Sequence, residues 1–217
     1  MFYLLAAVGC QRASDAENGA ADASPGSTDA DGPAWARDAG IYEVNVRQYS
    51  PEGTFAAFER HLPRLQELGV EILWFMPIHP ISEEKRKGSL GSYYAIADYR
   101  AVNPNYGTME EFKALVHRIH DMGMRVILDW VPNHTGWDHH WIEEHPEWYT
   151  RDAAGNIVDP INPETGESFN WADVADLNYE HPGLRRAMTE EMLFWLEEVD
   201  VDGFRCDVAA EVPLDFW

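Results

Sequence analysis

Cysteine is nearly absent from this chain. Its 217 residues include two, Cys10 and Cys206, too few for a disulfide framework. Basic residues are scarce as well. Sixteen Lys and Arg stand against 38 Asp and Glu, for a formal net charge of −22. A field of that sign repels nucleic acid and anionic lipid, and it suits a neutral or cationic substrate, or simple solubility. The apolar run at residues 2–8 is too short to span a bilayer. No Gly-rich phosphate loop follows the first strand, which argues against a dinucleotide fold. No repeat is visible beyond a strand–helix unit.

What is present is enough for a sizeable core: 45% of residues are hydrophobic and 12% aromatic, which excludes a wholly disordered or fibrous chain. Nine Trp, nine Tyr and nine Phe serve core packing or a surface on which apolar sugar faces stack; composition does not choose. At the N-terminus the apolar run leads into Gly9-Cys10. This resembles the tail of a secretory signal with a bacterial lipoprotein cleavage site, Cys10 being the lipidated residue. The expectation is an exported periplasmic or outer-membrane lipoprotein of a Gram-negative bacterium, touching membrane only through a lipid on Cys10. Residues 11–38 are rich in Ala, Asp, Gly and Ser and read as a disordered tether.

From residue 41 the pattern changes. Residues 41–46 read as a strand. Phe55, Phe58, Leu62, Leu65 and Leu68 recur at helical spacing, with a kink expected at Pro63 and an end at Gly69. Residues 70–76 read as a second strand, and 77–107 as a long loop. A second helix from about Met109 buries Phe112, Leu115, Val116, Ile119 and Met122, and Gly123 closes it. Residues 125–130 form a third strand, 131–180 an irregular excursion, and a third helix carries Met188, Met192, Trp195, Leu196 and Val199. Residues 201–207 form the fourth strand. Alternating strands and helices predict a parallel α/β sheet. The excursion after strand three favours a (β/α)8 TIM barrel, whose sites are built at strand C-termini.

Polar residues gather at those C-termini. Strand three ends in Asp129-Trp130-Val131-Pro132-Asn133-His134, and strand four in Gly203-Phe204-Arg205-Cys206-Asp207. Side chains alternate along a strand, so Arg205 and Asp207 share one face and Phe204 and Cys206 the other. An Arg beside a carboxylate lowers its pKa and keeps it ionised, as a nucleophilic carboxylate requires. A buried Arg–Asp pair without chemistry is an equal reading of these residues alone.

These two stretches resemble the Asp-x-x-x-Asn-His and Gly-x-Arg-x-Asp signatures of the α-amylase family of glycoside hydrolases. Residues 91–99, Gly91-Ser92-Tyr93-Tyr94-Ala95-Ile96-Ala97-Asp98-Tyr99, resemble that family's Tyr-x-x-x-Asp-Tyr stretch, and Asp176-Leu177-Asn178 its short motif closing the inserted domain B. The four fall in family order. The resemblance implies the first four strands of the catalytic barrel over residues 39–217, with domain B inserted at about 135–180. It implies Asp207 as nucleophile, Arg205 as the group holding it ionised, Tyr94 stacking under the sugar, His134 bonding sugar hydroxyls, and Asp129 orienting an Arg205–His134 cluster. Asp98 would belong to the scaffold, and Cys206 would be a buried thiol. It further implies Ca²⁺ held by Asn133 and Asp176, although the usual Lys-His after the second signature is here Ala210-Glu211, which weakens that site.

The implied reaction is retaining hydrolysis of α-1,4-glucans such as starch or maltodextrin, through a covalent glycosyl-enzyme on Asp207. Such catalysis needs a second carboxyl group, which the family places after strand five, beyond Trp217. The expectation is therefore that residues 1–217 alone are inactive and poorly soluble, with unpaired edges on strands one and four. A transferase or isomerase of the same fold shares every residue visible here, and a non-catalytic glycan-binding fragment is the alternative of a different class.

Overall fold

A computed structural model describes residues 32–162 and 164–217 of the chain. Cys10, the signal-like run and the tether up to residue 31 lie outside the described residues. The end of the expected tether is structured: Ala34–Ala36 form a single 3-10 turn, and the Arg125 guanidinium sits 5.7 Å from the Trp35 ring centroid.

In chain order the elements are β1 (Ile41–Val44), α1 (Val46–Tyr49), α2 (Phe55–Glu59), α3 (Leu62–Glu67), β2 (Ile72–Phe75), α4 (Met109–Asp121), β3 (Arg125–Trp130), β4 (His134–Gly136), α5 (Trp141–Glu144), β5 (Val174–Asp176), α6 (Pro182–Glu197) and β6 (Gly203–Cys206). Four strands form one parallel sheet in the order β1-β2-β3-β6. That order never reverses, as it must in a doubly wound sheet. It is the arrangement of successive strands in a (β/α)8 barrel, matching the fold expected.

The helix expected over 55–68 is two helices. The chain breaks at Arg60 and His61, and Pro63 lies in the first turn of α3. A first-turn proline has no hydrogen bond to lose and its φ suits the helix, so it starts α3 rather than kinking a longer one. α4 forms as expected. Thr108 Oγ1 accepts from Glu111 N–H at 3.2 Å and Glu111 Oε2 accepts from Thr108 N–H at 2.7 Å, a reciprocal cap. Gly123 follows with φ of +80°, the left-handed position that ends such helices.

The core lies between the sheet and these helices. Phe112, Leu115, Val116 and Ile119 of α4 are fully buried, each worth roughly 2 kcal/mol of apolar burial. Phe75 meets Phe58 at 5.3 Å and Phe112 at 5.7 Å, edge to face. On β3 and β6 the outward residues Trp130 and Phe204 pack at 5.2 Å, which leaves Asp129 and Arg205 to face the opposite side.

The excursion over 131–181 holds more order than its sequence shows. β4 and β5 pair antiparallel, with His134 opposite Asp176. Trp141 and Trp148 pack edge to face at 5.1 Å. Gly136 packs closely against the 77–107 loop. A Cβ there would overlap the Ser82 side chain and lie 3.1 Å from the Ile96 carbonyl oxygen.

Candidate active site

β3 and β6 are in register so that Asp129 is opposite Arg205. The two side chains therefore leave the sheet side by side on one face. A single guanidinium nitrogen, Arg205 Nη1, donates to Asp129 Oδ1 at 3.0 Å, Asp129 Oδ2 at 3.1 Å and Asp207 Oδ1 at 2.8 Å. The Asp207 backbone N–H donates to the Trp130 carbonyl at 2.7 Å, extending the ladder by one residue. Val208 follows with φ of +49°. A β-branched residue is strained in that region, and the turn aims Asp207 out of the sheet end.

Exposure separates the two acids. The side chain of Asp129 is 0% exposed and that of Asp207 18%, so only Asp207 can meet a ligand. It opens into a cavity of about 520 Å³ lined also by Tyr94 and Ser92 of the 77–107 loop, by His134, Trp171 and Asp173 of the excursion, and by Val208.

Burial is the largest influence on both acids. It pushes Asp129 up to about 7 against the pull of Arg205. Burial also raises Asp207, with Arg205 opposing. The expectation that Arg205 lowers the pKa of Asp207 is thus corrected: one cation is divided between the sealed Asp129 and the half-buried Asp207, and desolvation outweighs its share. Burial works against the Arg205 charge too, but the two carboxylates outweigh it and hold the guanidinium charged.

The structure brings together Asp129, Arg205, Asp207, Tyr94 and His134. Tyr94 Oη lies 3.5 Å from Asp129 Oδ2. The His134 ring lies 3.3 Å from Asn133 Nδ2 and hydrogen-bonds the Tyr94 backbone as well. Burial lowers His134 to about 4, and the ring is neutral at ordinary pH. Trp171 packs against it at 5.9 Å. Cys206 is buried on the far face, as expected, its thiol pushed up to about 12 by burial.

Asn133 and Asp176 also come together. Leu177 N–H donates to the Asn133 carbonyl at 3.1 Å, and both side chains are buried. Burial pushes Asp176 up to about 7, with Asp159 and Glu211 adding to the rise. Among the described residues no cluster of three or more His, Cys, Asp or Glu could hold a metal.

Trp74 was missed in the sequence as a site residue. Its Nε1–H donates to Asp129 Oδ2 at 3.1 Å, and its ring lies 5.0 Å from the Arg205 guanidinium. The signal was available: Trp74 is opposite Ile127 in the β2–β3 register, two residues from Asp129 and hence on the same face. Lys87, Trp171 and Asp173 were missed because they enter the cavity from loops with no periodicity.

Residues 23–215 match the family model "Alpha amylase, catalytic domain". The chain is similar to the α-amylase MalA of Haloarcula japonica, with 32% identity over 86% of this chain and 28% of that protein. It is similar to the α-1,4-glucan:maltose-1-phosphate maltosyltransferase of Rhodospirillum rubrum, with 36% identity over 81% of this chain and 28% of that protein. Among solved structures, an α-amylase from Lactobacillus plantarum superposes with a TM-score of 0.76 and 49% identity, over 82% of this chain and 40% of that one. The chain thus spans well under half the length of the relatives it matches. With the four-strand barrel and the paired strand-end signatures, these matches place the chain in the α-amylase family, as part of its catalytic domain.

Proposed function

We propose that this site is the nucleophile half of a retaining glycoside hydrolase acting on α-1,4-glucans. The observation that carries the reading is the asymmetry of the two acids on one guanidinium: Asp129 is sealed, and Asp207 opens into the cavity. Asp207 would attack the anomeric carbon as the glycosidic bond breaks, forming a covalent glycosyl-enzyme, and water would then release the sugar with net retention. Asp129 and Trp74 hold Arg205, and Arg205 holds Asp207 in line. Tyr94 supplies an apolar face beneath the sugar. Neutral His134 offers a hydrogen bond to a hydroxyl without competing for charge. Asp173, the other carboxylate lining the cavity, is tied to Lys87 at 2.7 Å. Retaining hydrolysis needs a second carboxyl group as general acid, so the activity is proposed for a protein that carries the complete barrel.

The test is the full-length protein on maltodextrin, with reducing ends and product anomer followed together. The expected result is α-anomeric product and a loss of about 10⁴-fold or more in kcat for Asp207→Asn. Initial release of the β-anomer, or an active Asp207→Asn variant, would overturn the reading. Relatives named as an amylase and a maltosyltransferase share this half of the barrel, so water and sugar acceptors compete in the same assay.

Calcium at Asn133 and Asp176 fits one feature of this chain. Asp176 is a buried carboxylate whose charged neighbours are acidic, so a hard cation would supply the missing counter-charge, with backbone carbonyls and water completing its shell. Its role would be structural, joining the excursion to the barrel. Export as a lipoprotein through Cys10 rests on the sequence alone, and labelled palmitate incorporation into that residue in a Gram-negative host tests it.

A further inference from the structure

Contacts from Glu83, Lys85 and Lys87 fasten one short stretch of the 77–107 loop to the excursion after β3. Glu83 N–H donates to Asp138 Oδ2 at 2.7 Å. The Lys85 ammonium sits 3.0 Å from the Trp137 ring centroid, on a residue held at φ of +54°. Lys87 Nζ lies 2.7 Å from Asp173 Oδ1. Only the last pair lines the cavity that Asp207 enters.

That placement separates Lys87–Asp173 from an ordinary surface ion pair. Asp173 is the inner partner, with 9% of its side chain exposed against 55% for Lys87. It also acts on the neutral His134 ring. The loop side of the cavity carries Gly91, Ser92 and Tyr94, and the excursion side carries His134, Trp171 and Val174. The contact thus bridges the two sides of the cavity. The ammonium is also committed to a carboxylate, so it selects no anionic group on a substrate.

We infer that Lys87 and Asp173 form a wall that ends the sugar groove beside the nucleophile, making the site selective for a chain end over an uninterrupted run of glucose units. This rests on the glycosidase reading above and deepens it by naming the substrate form. A linear oligosaccharide seats a terminus against the pair. A cyclic dextrin has no terminus and must displace it.

The test compares linear maltoheptaose with a seven-glucose cyclic dextrin on the full-length protein, in the parent, Lys87→Met and Asp173→Asn. The parent should prefer the linear substrate, and each variant should shift the cyclic-to-linear ratio of kcat/KM towards the ring by about tenfold. Lys87 is largely exposed, so its Met variant should fold, and far-ultraviolet circular dichroism checks both. Equal parent rates on the two substrates, or a ratio unmoved in both variants, overturns the wall. Failure to cleave or bind either sugar overturns the glycosidase reading and the wall with it.

Discussion

Asp129 on β3 and Arg205 on β6 are opposed in the strand register, and one guanidinium nitrogen reaches both oxygens of the carboxylate at 3.0 and 3.1 Å. The pair is sealed from solvent at its acidic end. Replacing Arg205 by Met should cost about 3–5 kcal/mol, because it leaves a buried carboxylate without its cation. The double variant Asp129→Leu, Arg205→Met should recover a large part of that loss. Urea unfolding of both single variants, the double variant and the parent checks this. A double variant as unstable as the sum of its single changes would show that the two residues do not act as a pair.

Asp176 should make stability depend on pH in a defined direction. Burial raises its folded pKa to about 7, while the unfolded value is about 3.9. The folded chain therefore binds this proton more tightly than the unfolded chain. The resulting stability is fully present below about pH 4 and is lost as pH rises through about 7. Asp176→Asn should therefore gain on the parent between about pH 5 and pH 8. Calcium should flatten the dependence in the parent and chelator should restore it. A parent melting temperature indifferent to chelator at pH 8 would count against the cation.

Gly136→Ala should loosen the excursion from the loop. The added methyl group overlaps the Ser82 side chain and approaches the Ile96 carbonyl, and such overpacking costs about 1–3 kcal/mol. Hydrogen exchange should show the loss of protection concentrated at the Gly136 N–H, which donates to Ile96 O at 2.7 Å.

Thr108→Ala removes the hydroxyl that accepts from Glu111 N–H at the start of α4. The expected cost is about 1 kcal/mol, with Thr108→Asp restoring most of it. Denaturant midpoints measured on the three proteins decide the outcome.

The legible parts of this protein were those governed by period and chain-local chemistry. α4 could be read because Gly123 marks its end and Phe112, Leu115, Val116 and Ile119 mark its face, while the Thr108–Glu111 cap that fixes its start was seen only in the structure. Arg205 and Asp207 could be placed together because strand side chains alternate. The order inside the excursion was not legible. β4 and β5 are three residues each and about 40 apart, and short strands gain their stability from a distant partner.

By itself the sequence determined the alternation of strands and helices, the strand-end signatures and the family they resemble. Those are properties of neighbouring residues and their spacing. Tertiary structure alone decided the electrostatics and the shape of the site. Arg205 is divided between two carboxylates, Trp74 supports Asp129, His134 turns to Asn133, and Lys87 crosses to Asp173. The reason is physical: burial and long-range contact set the cost of each charge, and neither is a property of residues adjacent in the chain.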